Sequence, residues 1–230
     1  MTPEQMRTLR GPMLLRTEGE QASTFDQRLL ESGADHEWQH ADPWRVLRIQ
    51  GEFVAGFDAL SKLPKAVTVF GSARTTPEDA SYQLGVEVGR KLAEHSYAVI
   101  TGGGPGIMEA ANRGAADVHA ESIGLNIVLP HEQAPNLYVT PELSFNFHYF
   151  AIRKMHFLMR ARVITVFPGG FGTLDEMFEM LTWRQLGLGR KPCAFLDVDG
   201  FWQPLIAMMD TMVRERRESG ERHDDLLGRM

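Results

Sequence analysis

A glycine run followed by carboxylates is the part of this sequence best suited to chemistry. The run Pro168-Gly169-Gly170-Phe171-Gly172-Thr173 lies between a short apolar stretch and an amphipathic one. Glycines let backbone N–H groups approach an anion closely, and a helix that starts there adds a favourable dipole. The run is therefore interpreted as a phosphate cradle with the Thr173 hydroxyl as a further donor. The alternative is a tight strand-to-helix turn. No lysine follows Gly172, so the run is not a P-loop.

Charged side chains flank this run. Glu176 and Glu179 are three residues apart and share a helix face, while Asp175 is explained by the helix dipole alone. Beside a sugar phosphate, Glu176 would serve as a base or as a stabiliser of an oxocarbenium ion. Arg153 and Lys154 lie early in the preceding helix. They either pair with an anion in the site or form a solvated cationic pair.

Two other loops contain candidate binding residues. Gly71 and Ser72 follow the first predicted strand, and the run Gly102-Gly103-Gly104-Pro105-Gly106 follows the second. Glu109 lies one helix turn beyond that run, where it would bind the ribose or base or else satisfy the loop. The second run lacks the G-x-G-x-x-G spacing and does not follow the first strand. A dinucleotide-dependent oxidoreductase is therefore disfavoured.

Short apolar stretches alternate with amphipathic ones behind these loops. The predicted strands are 66–70, 97–100, 122–129, 163–167 and 194–198, and the predicted helices are 79–95, 106–117, 149–160, 173–186 and 201–217. Residues 131–146 are predicted to form a long loop. Strands separated by helices indicate a parallel sheet. The fold class is therefore α/β, a Rossmann-like doubly wound sheet with helices on both faces. With strand order 3-2-1-4-5, the first and fourth predicted strands would flank one ligand crevice.

The amino-terminal part has a different character. Residues 1–42 are predicted to be a loosely ordered extension, and 43–63 contains an amphipathic helix that packs on the core or on a partner. Its apolar stripe runs from Val46 to Leu60, with Asp42 and Pro43 predicted to start the helix. The catalytic domain is predicted at 64–218, and a charged tail at 219–230.

Composition narrows the functional class. The formal net charge of −6 disfavours nucleic acid and anionic membranes as partners. One cysteine, Cys193, excludes an internal disulfide framework and a thiolate metal cluster. No histidine spacing indicates a metal site. The sequence shows neither a signal peptide nor a membrane-spanning stretch, so a cytoplasmic location is expected.

Several motifs together resemble one family. The run from Pro168 to Glu176 resembles the PGGxGTxxE signature of the LOG ("Lonely Guy") family of cytokinin riboside 5′-monophosphate phosphoribohydrolases. The runs from Gly102 to Ala110 and from Thr182 to Gly187 also resemble the family, as does the Arg153-Lys154 pair. The resemblance covers about residues 66–213. Plant-type members usually have methionine three residues before the arginine, where this chain has Phe150.

The resemblance implies a homodimeric hydrolase without a metal or organic cofactor, whose catalytic arginine and glutamate fall on Arg153 and Glu176. The expected reaction is hydrolysis of the N-glycosidic bond of a purine-type nucleoside 5′-monophosphate, AMP or a cytokinin riboside monophosphate. Glu176 would face the ribose, and Arg153 would pair with the phosphate or with Glu176. The alternative is a non-catalytic nucleotide-binding or carrier protein of the same fold.

Overall fold

The computed structural model describes residues 26–27, 38–128 and 135–218 of the 230-residue chain. These residues form six longer helices and six strands. The helices are α1 (Trp38–Ala59), α2 (Ala80–Glu94), α3 (Ile107–Ala116), α4 (Phe150–Arg160), α5 (Phe171–Gln185) and α6 (Gln203–Glu218). The strands are β1 (Ala66–Phe70), β2 (Ala98–Thr101), β3 (Ser122–Ile127), β4 (Ser144–Phe147), β5 (Ala161–Val166) and β6 (Cys193–Phe195).

The strands form one parallel sheet in the order β4-β3-β2-β1-β5-β6. This confirms the α/β, Rossmann-like class and the predicted neighbours β1 and β5. The prediction of a continuous loop over 131–146 is wrong at its end, because Ser144–Phe147 adds a strand beside β3. The stretch alternates polar residues with Phe145 and Phe147, and both phenylalanines are buried. Four residues that follow a proline-containing segment are too few for a clear periodic signal.

Helices cover both faces of the sheet. On one face, Val69 and Val99 pack with Ile107, Ala111 and the inner side of α2. On the other face, a larger core joins strand residues to side chains from α1, α4, α5 and α6. Strands buried on both faces read as continuous apolar runs, which explains why most of them were recognisable in the sequence.

The predicted start of the amino-terminal helix is wrong. Helix α1 begins at Trp38 and contains Pro43 rather than starting there. Because proline has no N–H, the bond from residue 43 to the carbonyl of Gln39 is missing, yet the helix continues across it. Ile49 and Phe53 pack on the core, so α1 covers the main domain.

Several predictions fall partly outside the described residues. Residues 1–25 and 28–37 of the predicted extension lie there, as does the predicted tail 219–230. Among the helices that the structure describes, none is both long and apolar enough to cross a membrane.

Candidate active site

Three loops meet at the carboxyl ends of the central strands, and Ser72 joins them. Its backbone N–H donates to Pro168 O at 3.0 Å, and its own carbonyl accepts from the Ile107 N–H at 3.0 Å. Gly106 has φ +70°, and a Cβ there would lie 2.3 Å from Ser72 O. A residue other than glycine would therefore push the β1 and β2 loops apart.

These loops surround a cavity of about 650 Å³. Its walls come from the ends of β1, β2, β3 and β4 and from the first turns of α4 and α5. The predicted site residues on its wall are Gly71, Ser72, Gly104, Arg153, Gly170, Gly172, Thr173 and Glu176. The volume is in the range of small-molecule sites.

The predicted phosphate loop is shorter than expected. Helix α5 begins at Phe171 rather than Thr173, so Gly172 and Thr173 belong to its first turn. The Leu174 N–H donates to the carbonyl of Gly170, the residue just before the helix, at 3.1 Å. The first N–H groups of a helix lack partners within it. The N–H groups that come before that of Leu174 in this helix can therefore donate to an anion. At Gly169, a Cβ would lie 2.2 Å from the Thr173 hydroxyl oxygen, so glycine leaves room for that side chain.

Glu176 and Arg153 face one another on the cavity wall. An Nη atom of Arg153 lies 3.6 Å from Glu176 Oε1, an ion-pair distance too long for a hydrogen bond. Glu176 is 3% exposed, and its Oε2 has no hydrogen-bond partner among the described residues. Burial raises the pKa of Glu176 to about 7, although Arg153 and Lys154 oppose the shift. The carboxyl group therefore titrates near neutral pH.

Three predicted binding side chains point elsewhere. Lys154 Nζ lies 2.8 Å from Asp175 Oδ2 and 3.0 Å from Glu179 Oε2, and neither Lys154 nor Glu179 lines the cavity. Burial alone would lower the pKa of Lys154, but the two carboxylates outweigh it and the pKa is raised. Glu109 accepts from the Tyr82 hydroxyl at 2.7 Å, toward α2. Burial and Glu109 raise the pKa of Tyr82 to about 12.

The predicted glycines that do not line the cavity have packing roles. Gly106 and Gly169 make room for Ser72 and Thr173, as described above. Gly103 has φ +70°, and a Cβ there would lie 2.2 Å from Asn126 Oδ1. The sequence indicated substrate binding for all three, because close approach to a ligand and close approach to a side chain both require glycine.

A polar network holds the β2 loop in place. The Gly103 N–H donates to Thr101 Oγ1 at 2.9 Å, and that hydroxyl donates to Asn112 Oδ1 at 2.6 Å. Asn136 Nδ2 donates to the carbonyls of Gly103 and Gly104 at 3.1 and 3.0 Å. Asn112 is fully buried. These contacts show that Asn112 holds the loop in place.

The cavity residues that sequence reasoning missed include Met108, Asn126, Asn146 and Phe150. Asn126 and Asn146 are paired in register on β3 and β4 and are both buried. Their signal was a polar residue near the carboxyl end of each strand. The Arg153 guanidinium lies 5.2 Å from the Phe150 ring centroid, so this ring supports the arginine.

Two carboxylates from the amino-terminal part of the chain reach the start of α4. Glu52 on α1 accepts from the His148 backbone N–H at 3.0 Å and also contacts His148 Nδ1. Asp26 Oδ2 accepts from the Phe150 N–H at 3.1 Å. Anionic groups are favoured at a helix amino terminus. The amino-terminal segments thus help to hold the helix that carries Arg153.

Similarity to known proteins identifies the family of this chain. A family model described as possible lysine decarboxylase matches residues 108–225, a little over half of the chain. The rice protein named cytokinin riboside 5′-monophosphate phosphoribohydrolase LOG is 32% identical over 159 residues, which is 67% of this chain. The chain belongs to the LOG family. It spans 64% of the length of that rice protein.

Other members of the LOG family and solved structures are also similar. An Arabidopsis thaliana phosphoribohydrolase of this name, LOG7, is 28% identical over 156 residues, with 66% of this chain and 70% of that protein covered. The structural-genomics target TM1055 has a TM-score of 0.52 and 27% identity, over 63% of this chain and 81% of its own. A molybdenum cofactor binding protein from Rippkaea orientalis, at 23% identity, has a TM-score of 0.50 over 65% and 87% of the two chains. The last likeness concerns the fold alone.

The cavity does not fit the cofactor that the description of the family model suggests. Pyridoxal-phosphate decarboxylases require a lysine that forms a Schiff base. Among the described residues, the cavity wall contains no lysine. Lys154 is held by two carboxylates, and Lys191 donates to the carbonyls of Leu158 and Met159. The residues present therefore do not support that chemistry.

Proposed function

We propose that this protein hydrolyses the N-glycosidic bond of a purine nucleoside 5′-monophosphate, releasing free base and ribose 5-phosphate. The observation that carries the proposal is the Glu176–Arg153 pair on the wall of a cavity that also contains the start of α5. A carboxylate beside an anion-binding helix terminus suits a sugar phosphate. The names of the rice and Arabidopsis relatives support the same reaction class.

The first turn of α5 would bind the 5′-phosphate. Backbone N–H groups at Phe171, Gly172 and Thr173 and the Thr173 hydroxyl would donate to its oxygens. These donors belong to a folded helix and do not have to be ordered by the substrate. Binding energy from the phosphate can then position C1′ of the ribose against Glu176.

Glu176 would act at C1′. Burial raises its pKa to about 7, and in its ionised form the carboxylate can take a proton from an attacking water. The same negative charge would stabilise positive charge developing on the ribose ring. Arg153 would keep the carboxylate oriented and contact the phosphate.

The alternative is a carrier that binds a nucleotide without turnover. A carrier would need the donors of α5, but it has no need for a buried carboxylate whose pKa lies near neutrality. The buried Glu176 therefore favours the enzyme. The two functions differ in one observable, which is the release of free base from a bound nucleoside monophosphate.

The test is kcat/KM for adenosine, AMP, ADP and ATP, with released base measured by chromatography. Charge-assisted hydrogen bonds contribute about 1.5–3 kcal/mol each, so loss of two or three should lower kcat/KM for adenosine by roughly 1000-fold or more. ADP and ATP should also be poor substrates. Equal cleavage of adenosine and AMP would contradict the phosphate site. Binding of AMP without cleavage of any purine or cytokinin-type monophosphate would support the carrier.

A further inference from the structure

The departing base needs a hydrogen-bond donor. The ionisable residues on the described wall of the cavity offer no clear candidate for it. The described wall of the cavity has three ionisable residues, Arg74, Arg153 and Glu176. Arg153 faces Glu176, and Arg74 follows β1, which lies beside β5 and the phosphate-binding turn. A purine leaves with an electron pair and needs a hydrogen-bond donor as its charge develops.

Asn126 has the properties of such a donor. It lines the cavity near the end of β3, is 8% exposed, and its Nδ2 has no hydrogen-bond partner among the described residues. Buried amide groups are almost always paired, so this one calls for an explanation. Gly103 leaves the space that the carboxamide occupies, because a Cβ there would lie 2.2 Å from Asn126 Oδ1.

Asn126 also lies at a suitable distance from the phosphate-binding turn. In the sheet, β3 is separated from β5 by β2 and β1. Three inter-strand spacings of about 4.8 Å each amount to roughly 14 Å. This span is comparable with the length of an extended nucleoside monophosphate. A substrate with its phosphate at α5 would therefore place its base near Asn126, with C1′ between the two ends.

We propose that Asn126 is a catalytic residue that donates a hydrogen bond from Nδ2 to a ring nitrogen of the departing base. The Asn side-chain torsion next to the amide is soft, so rotation about it can turn this N–H toward the cavity. The inference rests on the proposed hydrolysis. It assigns the residue that lowers the barrier to base departure.

The step is balanced without any further reactant. The oxygen of water bonds to C1′ as the bond from C1′ to the base nitrogen breaks. The electron pair of the broken bond goes to the base. Glu176 takes one proton from the water and later releases it to solvent. Asn126 keeps its own proton and donates a hydrogen bond, while the base acquires one proton from solvent.

The test compares two substrates that differ in the leaving group. AMP releases adenine, which needs a donor, whereas 4-nitrophenyl ribofuranoside 5-phosphate releases a nitrophenolate that is stable as an anion. We expect Asn126→Ala to lower kcat for AMP by roughly 100-fold and kcat for the nitrophenyl substrate by less than about fivefold. Asn126→Asp should be worse than Asn126→Ala with AMP, because a carboxylate repels the developing charge.

Asn146→Ala is the matched control, since Asn146 is the buried carboxamide opposite Asn126 and lines the same cavity. It should affect both substrates to a similar extent. Retained binding of ribose 5-phosphate shows that each variant is folded. The assignment is overturned if Asn126→Ala loses activity equally on both substrates or loses none on AMP. It is also overturned if Asn146→Ala is the variant with the selective loss on AMP. If the wild type cleaves neither substrate and no other purine or cytokinin-type monophosphate, the proposed hydrolysis itself fails.

Discussion

The carboxyl group of Glu176 lies in an environment that opposes its ionisation. Burial removes water from the carboxylate, and the Arg153 guanidinium at 3.6 Å does not restore the ordinary pKa. Glu179, one helix turn further on, is bound to Lys154 and lies off the cavity wall. The two glutamates therefore offer a matched comparison on one helix.

We predict that Glu176→Gln lowers kcat by roughly two or more orders of magnitude, because it removes the charge and keeps the shape of the side chain. The affinity for AMP should change much less. Glu179→Gln should leave kcat within a few-fold of the wild type. Steady-state kinetics and AMP titration check both variants. Full turnover in Glu176→Gln would contradict the proposed role.

The pKa of Glu176 also makes stability depend on pH. Since the pKa is raised from 4.5 to about 7 in the folded protein, the folded state favours the protonated form. The contribution of the Glu176 carboxyl group to stability is fully present below about pH 4.5 and is lost as pH rises through about 7. The shift corresponds to about 3 kcal/mol. We predict that Glu176→Gln is more stable than the wild type at pH 8 by an amount of that order.

Denaturant unfolding of wild type and Glu176→Gln at pH 5 and pH 8 checks this prediction. The difference in the free energy of unfolding should shrink towards zero at pH 5. In the wild type, kcat should rise with pH through about 7 as the carboxylate forms. A pH-independent difference in stability would show that Glu176 is not the titrating group.

At the scale of elements, α1 acts on the site through α4. The Glu52 carboxylate is 7% exposed and accepts from the His148 N–H just before α4 begins. Arg153 and Phe150 belong to the first turn of that helix. A helix outside the predicted catalytic domain therefore contributes to the position of a proposed catalytic residue.

We predict that Glu52→Ala lowers the free energy of unfolding by about 1–3 kcal/mol, because it leaves a donor at the start of α4 without its acceptor. kcat should fall as well, since Arg153 loses its fixed position. Glu87→Ala is the control, because Glu87 pairs with Lys91 on an exposed face and should change neither quantity measurably. Denaturant unfolding and AMP kinetics provide the measurements. Unchanged stability in Glu52→Ala would show that the contact is dispensable.

At the scale of the whole molecule, the outer side of α1 is apolar and exposed. Trp44, Leu47 and Val54 are 67%, 56% and 70% exposed. Exposed apolar patches often mark interfaces. This exposed patch supports the proposal that the protein is a homodimer.

We predict that light scattering at micromolar concentration reports a mass of at least twice 25.9 kDa. Leu47→Glu combined with Val54→Glu should shift the mass towards that of the monomer, because charge is introduced into an apolar interface. Gln83→Glu on α2, which covers the opposite face of the sheet from α1, is the control and should not change the mass. A wild type that stays monomeric with full activity would contradict the proposal.

The order of strands, helices and glycine loops was readable in the sequence because it depends on local patterns. Buried parallel strands are continuous apolar runs, and glycine runs mark the turns that follow them. The run from Pro168 to Glu176 therefore indicated the proposed phosphate site and the glutamate beside it. Where the local pattern is weak, the prediction was wrong. This applies to the short strand Ser144–Phe147 and to the start of α1.

Tertiary structure decided which polar side chains share the cavity. Lys154 and Glu179 have motif positions as suitable as that of Arg153, yet they pair with each other away from the cavity wall. Asn126 belongs to no motif and reaches the cavity because β3 lies two strands from β1. The direction of a side chain and the water removed around it depend on every element packed nearby. For that reason the pKa of Glu176 and the environment of Asn126 follow from the folded chain and not from residue spacing.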